Sequence, residues 1–367
     1  MLFNRATWAD FKPSIRFVAA ALIIALAWVS PLQANTQNQS IKAWLDGYVM
    51  PSYQHLHQAN LALQQQASGL CNGVSAASLD HLQGALIKAL NALAYSQAID
   101  GGPMQGQLRN YRLYFWPDRK NLVDRQLKQL LAEPDQSLLL DHGLAAASVA
   151  LTGYPALERL VFDHHFRQLV LKDKDQYACA YITAVADNLV TITAEIIHGW
   201  ETQWYPQFTT PSNAQSQIKN QSEQMSFVFT NVDGLLSKII TKKLIKPIGS
   251  SAKHAKAKRM ESWRSDQTAN MLQANINGLE KTLMLVLKPT LIKAKQHRQW
   301  QTISHQLTLI KQQVKRLPRP YTNHLNTPEH WSNTQTLQQL LEQLQDQLQG
   351  IYPLLNVQLG FNAYDGD

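Results

Sequence analysis

The octapeptide GYPALERL, residues 153–160, sets the carboxylate of Glu158 three residues after Pro155, which itself follows Gly153 by two. An interior proline lacks an N–H and crowds the preceding turn, at a cost of about 3 kcal/mol in a helix. Apolar residues frame the break, from Leu144 to Leu151 before it and Leu157, Leu160, Val161 and Phe162 after it. A helix that halts at Gly153 and restarts at Pro155 resolves the conflict, because the first helical position needs no N–H. Glu158 then falls in the first turn of the new helix, next to free backbone groups. The structural alternative is a kink packed against a neighbour, with Glu158 paired to an arginine.

Two further segments carry groups of matching chemistry. GGPMQGQLRNYRLYFWPDRK, residues 101–120, holds Arg109 and Arg112 one turn apart, then Phe115, Trp116, Pro117 and Asp118. Guanidinium groups stack on aromatic faces and fork onto carboxylates, so Arg112 and Trp116 could frame an anionic ligand or neutralise a buried Glu158. RMESWRSDQTANMLQANINGLEKTL, residues 259–283, supplies Glu261, Trp263, Arg264 and Ser265 at what reads as the start of a long helix.

Other chemistries find little support. His55 and His57 stand two apart and face away from each other on a helix, while His164 and His165 follow Asp163 at a helix end. No His-Glu-x-x-His, Cys-x-x-Cys or Gly-x-Ser-x-Gly pattern occurs. From Lys238 to Arg259 run eight cations with no acid between them, read as a solvated helix end and loop or as a surface for an acidic partner or anionic lipid. Aromatics do not interleave that run, so nucleic acid is not an expected partner. The terminal GFNAYDGD, residues 360–367, lacks the spaced oxygen ligands of a calcium loop and reads as structural.

The elements that would hold these groups are helical. Leu79, Leu82, Leu86, Leu90 and Leu93 recur at threes and fours behind a capping Ser75. Ile182 to Ile196, Ile303 to Val314 and Leu337 to Leu348 repeat the pattern, and no alternating strand pattern competes. The class is all-α. The polar stretch Tyr205–Gln217, with two prolines, is the expected boundary, dividing the chain into a helical bundle over 35–207 and another over 208–367.

Residues 1–34 read as a secretory signal: a basic leader, the apolar run from Phe17 to Val29, and a small residue at Ala34. The run is short for a bilayer span of roughly 20 residues. The mature protein is expected in the periplasm or outside the cell, after cleavage near Ala34, and no later segment reads as a span. Of the formal charge of +8, Arg5, Lys12 and Arg16 against Asp10 place +2 in the leader, leaving +6. That mild excess does not demand nucleic acid. In an oxidising compartment the two cysteines, Cys71 and Cys179, are expected to bridge.

GYPALERLVF, YRLYFWPD, ESWRS and LGFNAYDGD, taken in order over nearly the whole mature chain, resemble the imelysin-like proteins of the bacterial envelope. The resemblance implies two helical bundles with a cleft between them, association with iron-regulated uptake, and a catalogue place among metallopeptidases. It places Arg112, Trp116, Asp118, Trp263 and Arg264 with Glu158 in a ligand site, with Gly153 and Pro155 as its backbone. Family members carry Gly-x-His-x-x-Glu; here Gly153 and Glu158 match, and Pro155 occupies the His position. A zinc hydrolase needs three protein ligands, and proline can supply none. Glu158 remains the one metal ligand the resemblance carries over, for a divalent metal or iron. The expectation is therefore a non-enzymatic binding component linked to iron or metal uptake, holding a small or anionic ligand and possessing an envelope partner. A zinc metallopeptidase and an envelope scaffold are the alternatives.

Overall fold

The computed structural model describes residues 38–174, 176–210 and 216–360. The leader, the cleavage position near Ala34 and all of the terminal segment except Gly360 lie outside the described residues. Within them the chain is helical, with no strand, as the periodicity requires.

Ten helices of nine residues or more build the described chain: α1 Met50–Leu70, α2 Ala76–Ser96, α3 Leu122–Ala132, α4 Tyr154–Phe162 and α5 His164–Lys172, then α6 Tyr177–Gly199, α7 Gln221–Lys238, α8 Thr268–Thr282, α9 His297–Lys315 and α10 Pro328–Ile351. The stripes read from the sequence are core faces. Leu79, Leu82, Leu86, Leu90 and Leu93 are all buried on α2. Ser75 caps that helix reciprocally with Ser78, satisfying end donors that would otherwise go unpaired. α1 packs between α2 and α6, while α9 pairs with α10.

α8 docks on α2 across the sequence midpoint. A Cβ at Gly278 would stand 2.3 Å from the Tyr95 carbonyl, so only glycine lets the two backbones come this close. Asn275 reinforces the seam, donating to the Ala94 carbonyl at 2.7 Å. Cys71 and Cys179 form a disulfide, with Cα atoms 5.4 Å apart, joining the end of α1 to the start of α6.

Three local expectations need correction. Residues 140–153 are turns, bends and one short 3-10 segment, Gly143–Ala145, so α4 starts afresh at Tyr154 instead of resuming an interrupted rod. Pro155 still occupies the first turn, but Glu158 sits one turn further in. Residues 260–266 form turns, with positive φ at Ser262 and Asp266, and α8 begins only at Thr268. Finally, Tyr177–Thr209 is long and apolar enough to cross a membrane by length and composition. Its apolar stripe, Ile182 through Ile196, lies buried in the core.

Candidate functional site

Gly153 fixes the start of α4 through space rather than torsion. A Cβ there would fall 2.3 Å from the carbonyl oxygens of both Arg112 and Leu113. The five-residue helix Arg109–Leu113 thus lies directly against the GYPALERL turn. Thr152 strengthens the junction by donating to the Arg112 carbonyl at 3.1 Å. Arg112 itself turns to α6 and donates to Asn188 Oδ1 at 3.2 Å, while Asn188 donates to the Thr152 carbonyl at 2.8 Å. The guanidinium placed opposite Glu158 by sequence reasoning is therefore a clamp on the motif, outside the cavity lining.

Beyond this junction opens a cavity of about 840 Å³, within the size range of small-molecule sites. Its walls come from Tyr114–Arg119, from α4, from the segment after α7, and from residues 258–264. Of the residues singled out in the sequence, Trp116, Asp118, Pro155, Glu158, Trp263 and Arg264 line it together. Gly153 and Arg112 stand behind its wall.

Glu158 is only 6% exposed, and Ser265 holds it with two donors. The Ser265 backbone N–H and hydroxyl both reach Oε1, at 3.0 and 2.7 Å. Burial raises the Glu158 pKa above the ordinary carboxylate range; the Ser265 bonds and the charge of Arg264 oppose that rise without cancelling it. Arg264 stacks its guanidinium 4.1 Å from the Trp263 ring centroid, and its Nε stands 3.6 Å from Asp163. Asp118 caps α3, accepting from the backbone of Leu122 and Val123 at 2.7 and 3.0 Å. Arg159, buried beside Glu158, is occupied by Asp124 at 2.9 Å and by Asn121.

The largest contribution missed in the sequence is the basic run. Lys242 and Lys246 line the cavity, and Lys258 and Arg259 stand exposed in its lining. A π-helical turn over Ile239–Ile245 continues α7 and shifts its register, so Lys242 and Lys243 point inward instead of into solvent. Lys243 is fully buried, 2.6 Å from Glu261, and also donates to Asn275 at 2.7 Å and Gln97 at 3.0 Å. Burial lowers its pKa to about 8 despite the attraction of Glu261. The reading of this run as a solvated end is thus overturned for Lys242 and Lys243, whereas Lys246 is exposed. The available signal was lysine set among Ile and Leu in IITKKLIKPIG, an unusual place for a solvated charge.

With Arg119, Arg159 and Arg264, the lining carries seven cationic side chains against the carboxyls of Asp118 and Glu158. Tyr114, Phe115, Trp116 and Trp263 supply aromatic surface. Such a cavity focuses positive potential and suits an anion with an apolar or flat portion.

A resident divalent metal does not fit these donors. Glu158 Oε1 is committed to Ser265, Pro155 offers no ligand, and Glu261 is paired with Lys243. Among the described residues, no three His, Cys, Asp or Glu side chains gather as a metal set. His57 contacts Thr193 at 3.0 Å, and the His165 backbone caps onto Asp163 at the start of α5.

Comparison with known proteins agrees with this frame. The family model described as Imelysin matches residues 49–348. No curated protein matches the chain. The crystal structure of an imelysin-like protein from Psychrobacter arcticum superposes with a TM-score of 0.74 at 18% identity, covering 89% of this chain and 98% of that one. That of a protein assigned as an iron-regulated protein A precursor from Parabacteroides distasonis gives 0.71 at 15% identity, covering 86% and 95%. At such identities the likeness concerns the fold.

Proposed function

The chain belongs to the imelysin family, and we propose that it is a non-enzymatic binding protein of the cell envelope whose cavity takes an anionic ligand. The observation that carries this reading is the excess of seven cations over two carboxyls above an aromatic wall. Arg264 is the principal ligand group: its guanidinium is already oriented on Trp263, and its terminal nitrogens make no hydrogen bond among the described residues. Glu158 orders the turn that carries Ser265 and Arg264, and Trp116 and Trp263 form the walls. The description of one structural neighbour as iron-regulated supports a link to iron. Here iron would arrive as cargo, within an anionic chelate, with the protein binding the chelate's carboxylates rather than the metal. The proposed location is the periplasm, following removal of the leader.

The test is isothermal titration of the mature protein with citrate and with ferric citrate. Saturable binding weakened at least tenfold by Arg264→Ala is the expected result. Absence of binding by either anion would overturn the assignment. Stoichiometric zinc after purification without chelators, with peptide cleavage abolished by Glu158→Ala, would establish the metallopeptidase alternative instead.

A further inference from the structure

A second cavity, about 490 Å³, is lined by residues just after α2, by Trp204 and by α7, and its chemistry differs from the first. Tyr111, Trp204 and Phe227 give it aromatic surface. Gly101 and Gly102 make its wall thin. A Cβ at Gly101 would meet the Phe227 ring at 2.7 Å, and Gly102, at φ +66°, brings its backbone against Trp204.

Four polar side chains at this cavity are uncommitted, while Gln97, Glu223, Ser226, Thr230 and Asn231 are bonded to protein. Among the described residues, the Asp100 carboxyl and the side-chain amides of Gln105, Gln217 and Gln358 make no hydrogen bond to protein. Uncommitted amides offer both a donor and an acceptor, and a carboxylate offers several acceptor sites. Asp100 is half-buried and the three glutamines are exposed, so their polar atoms are open to the hydroxyls of a ligand.

We propose that this second cavity is a binding site for a neutral carbohydrate, a mono- or disaccharide. Sugar hydroxyls pair with amides and carboxylates, and the C–H face of a pyranose ring lies flat on aromatic side chains. Charge balance disfavours the other classes. An anion would face Asp100 and Glu223, whereas a cation would face Lys238 in the lining and Lys243 behind it. Burial raises the Asp100 pKa while those two lysines pull it down, so the group can serve a neutral ligand in either protonation state. The assignment is independent of the anion site, with which this cavity shares no lining residue.

Saturation-transfer NMR on the mature protein with maltose and with chitobiose tests it, alongside tryptophan fluorescence. The expected result is saturable binding of at least one disaccharide in the millimolar range or tighter, weakened at least tenfold by Asp100→Asn. Gln105→Ala, at an exposed position, should weaken it as well and guards against a folding defect in the first variant. Arg264→Ala should leave sugar affinity unchanged. No saturable transfer from either sugar would overturn the proposal. So would binding indifferent to both cavity variants, binding lost in Arg264→Ala, or capture of spermidine in place of sugar.

Discussion

Ser265 binds one oxygen of Glu158 twice, through its backbone N–H at 3.0 Å and its hydroxyl at 2.7 Å. These contacts tie α4 to a segment more than a hundred residues later, beside the cationic cavity that Glu158 and Arg264 line. Because burial raises the Glu158 pKa, the folded state holds this proton more tightly than the unfolded chain does. The stabilisation from that proton is present below the ordinary carboxylate pKa and is lost as pH rises through the raised one. Glu158→Gln should therefore flatten the pH dependence of stability over that window, measured by urea unfolding. Protonation also removes a negative charge from the lining. Citrate affinity should gain more on acidification in the wild type than in the Gln variant, a comparison in which the ligand's own titration cancels.

Lys243 and Glu261 form a buried pair 2.6 Å apart. Removing one partner strands the other, so Lys243→Met should cost about 3–5 kcal/mol, read from denaturant midpoints. Adding Glu261→Leu to that variant should recover most of the loss. The lysine pKa, lowered to about 8, fixes a second sign. The unfolded chain binds this proton more tightly, so the unfavourable contribution is full below pH 8. It is relieved as pH rises toward the ordinary lysine value. Lys243→Met should abolish that rise.

The helical class was readable because leucine and isoleucine spacing reports the buried face directly, and Ser75 marked a helix start that the structure keeps. The motif segments could likewise be read as belonging to one place. Trp116, Asp118, Glu158, Trp263 and Arg264 do share a cavity, whereas Arg112 does not. Periodicity cannot tell which way a five-residue helix such as Arg109–Leu113 turns its guanidinium, because that depends on the tertiary partner Asn188. The buried lysines were hidden for a related reason. A single π-helical turn shifts the facing of every residue after it, and nothing in local propensity announces the shift.

The distinction between clamp and ligand group can be measured. Arg112→Ala should destabilise the fold by about 1–3 kcal/mol, because it removes the bond to Asn188 that locks the Thr152–Gly153 turn. Citrate affinity measured well below the unfolding midpoint should change less than twofold. Gly153→Ala should be as damaging or worse, since its methyl would enter the space of two carbonyls. A large loss of citrate affinity in Arg112→Ala with stability intact would return that arginine to the binding site.

The disulfide closes a separation of 108 residues between α1 and α6. In the chain-entropy account, a loop of that size contributes about 4–5 kcal/mol by restricting the unfolded state. The double Cys71→Ser, Cys179→Ser variant should lower the urea midpoint accordingly with little change in citrate affinity, because neither cysteine approaches the cavity lining.

Arg264 carries the sharpest test of the binding assignment. Its guanidinium lies on Trp263, and Nε stands 3.6 Å from Asp163, too far for a hydrogen bond. Stability therefore owes it little, and Arg264→Ala should shift the unfolding midpoint by less than about 1 kcal/mol. Its loss from the cavity should nonetheless weaken citrate at least tenfold and reduce the salt dependence of binding. Arg264→Lys separates charge from shape. An ammonium keeps the field but gives up the planar fork and the stack on the indole, so this variant should restore the salt dependence and only part of the affinity. Full recovery by lysine would mean that the cavity reads net charge alone, and that the orientation imposed by Trp263 has no part in recognition.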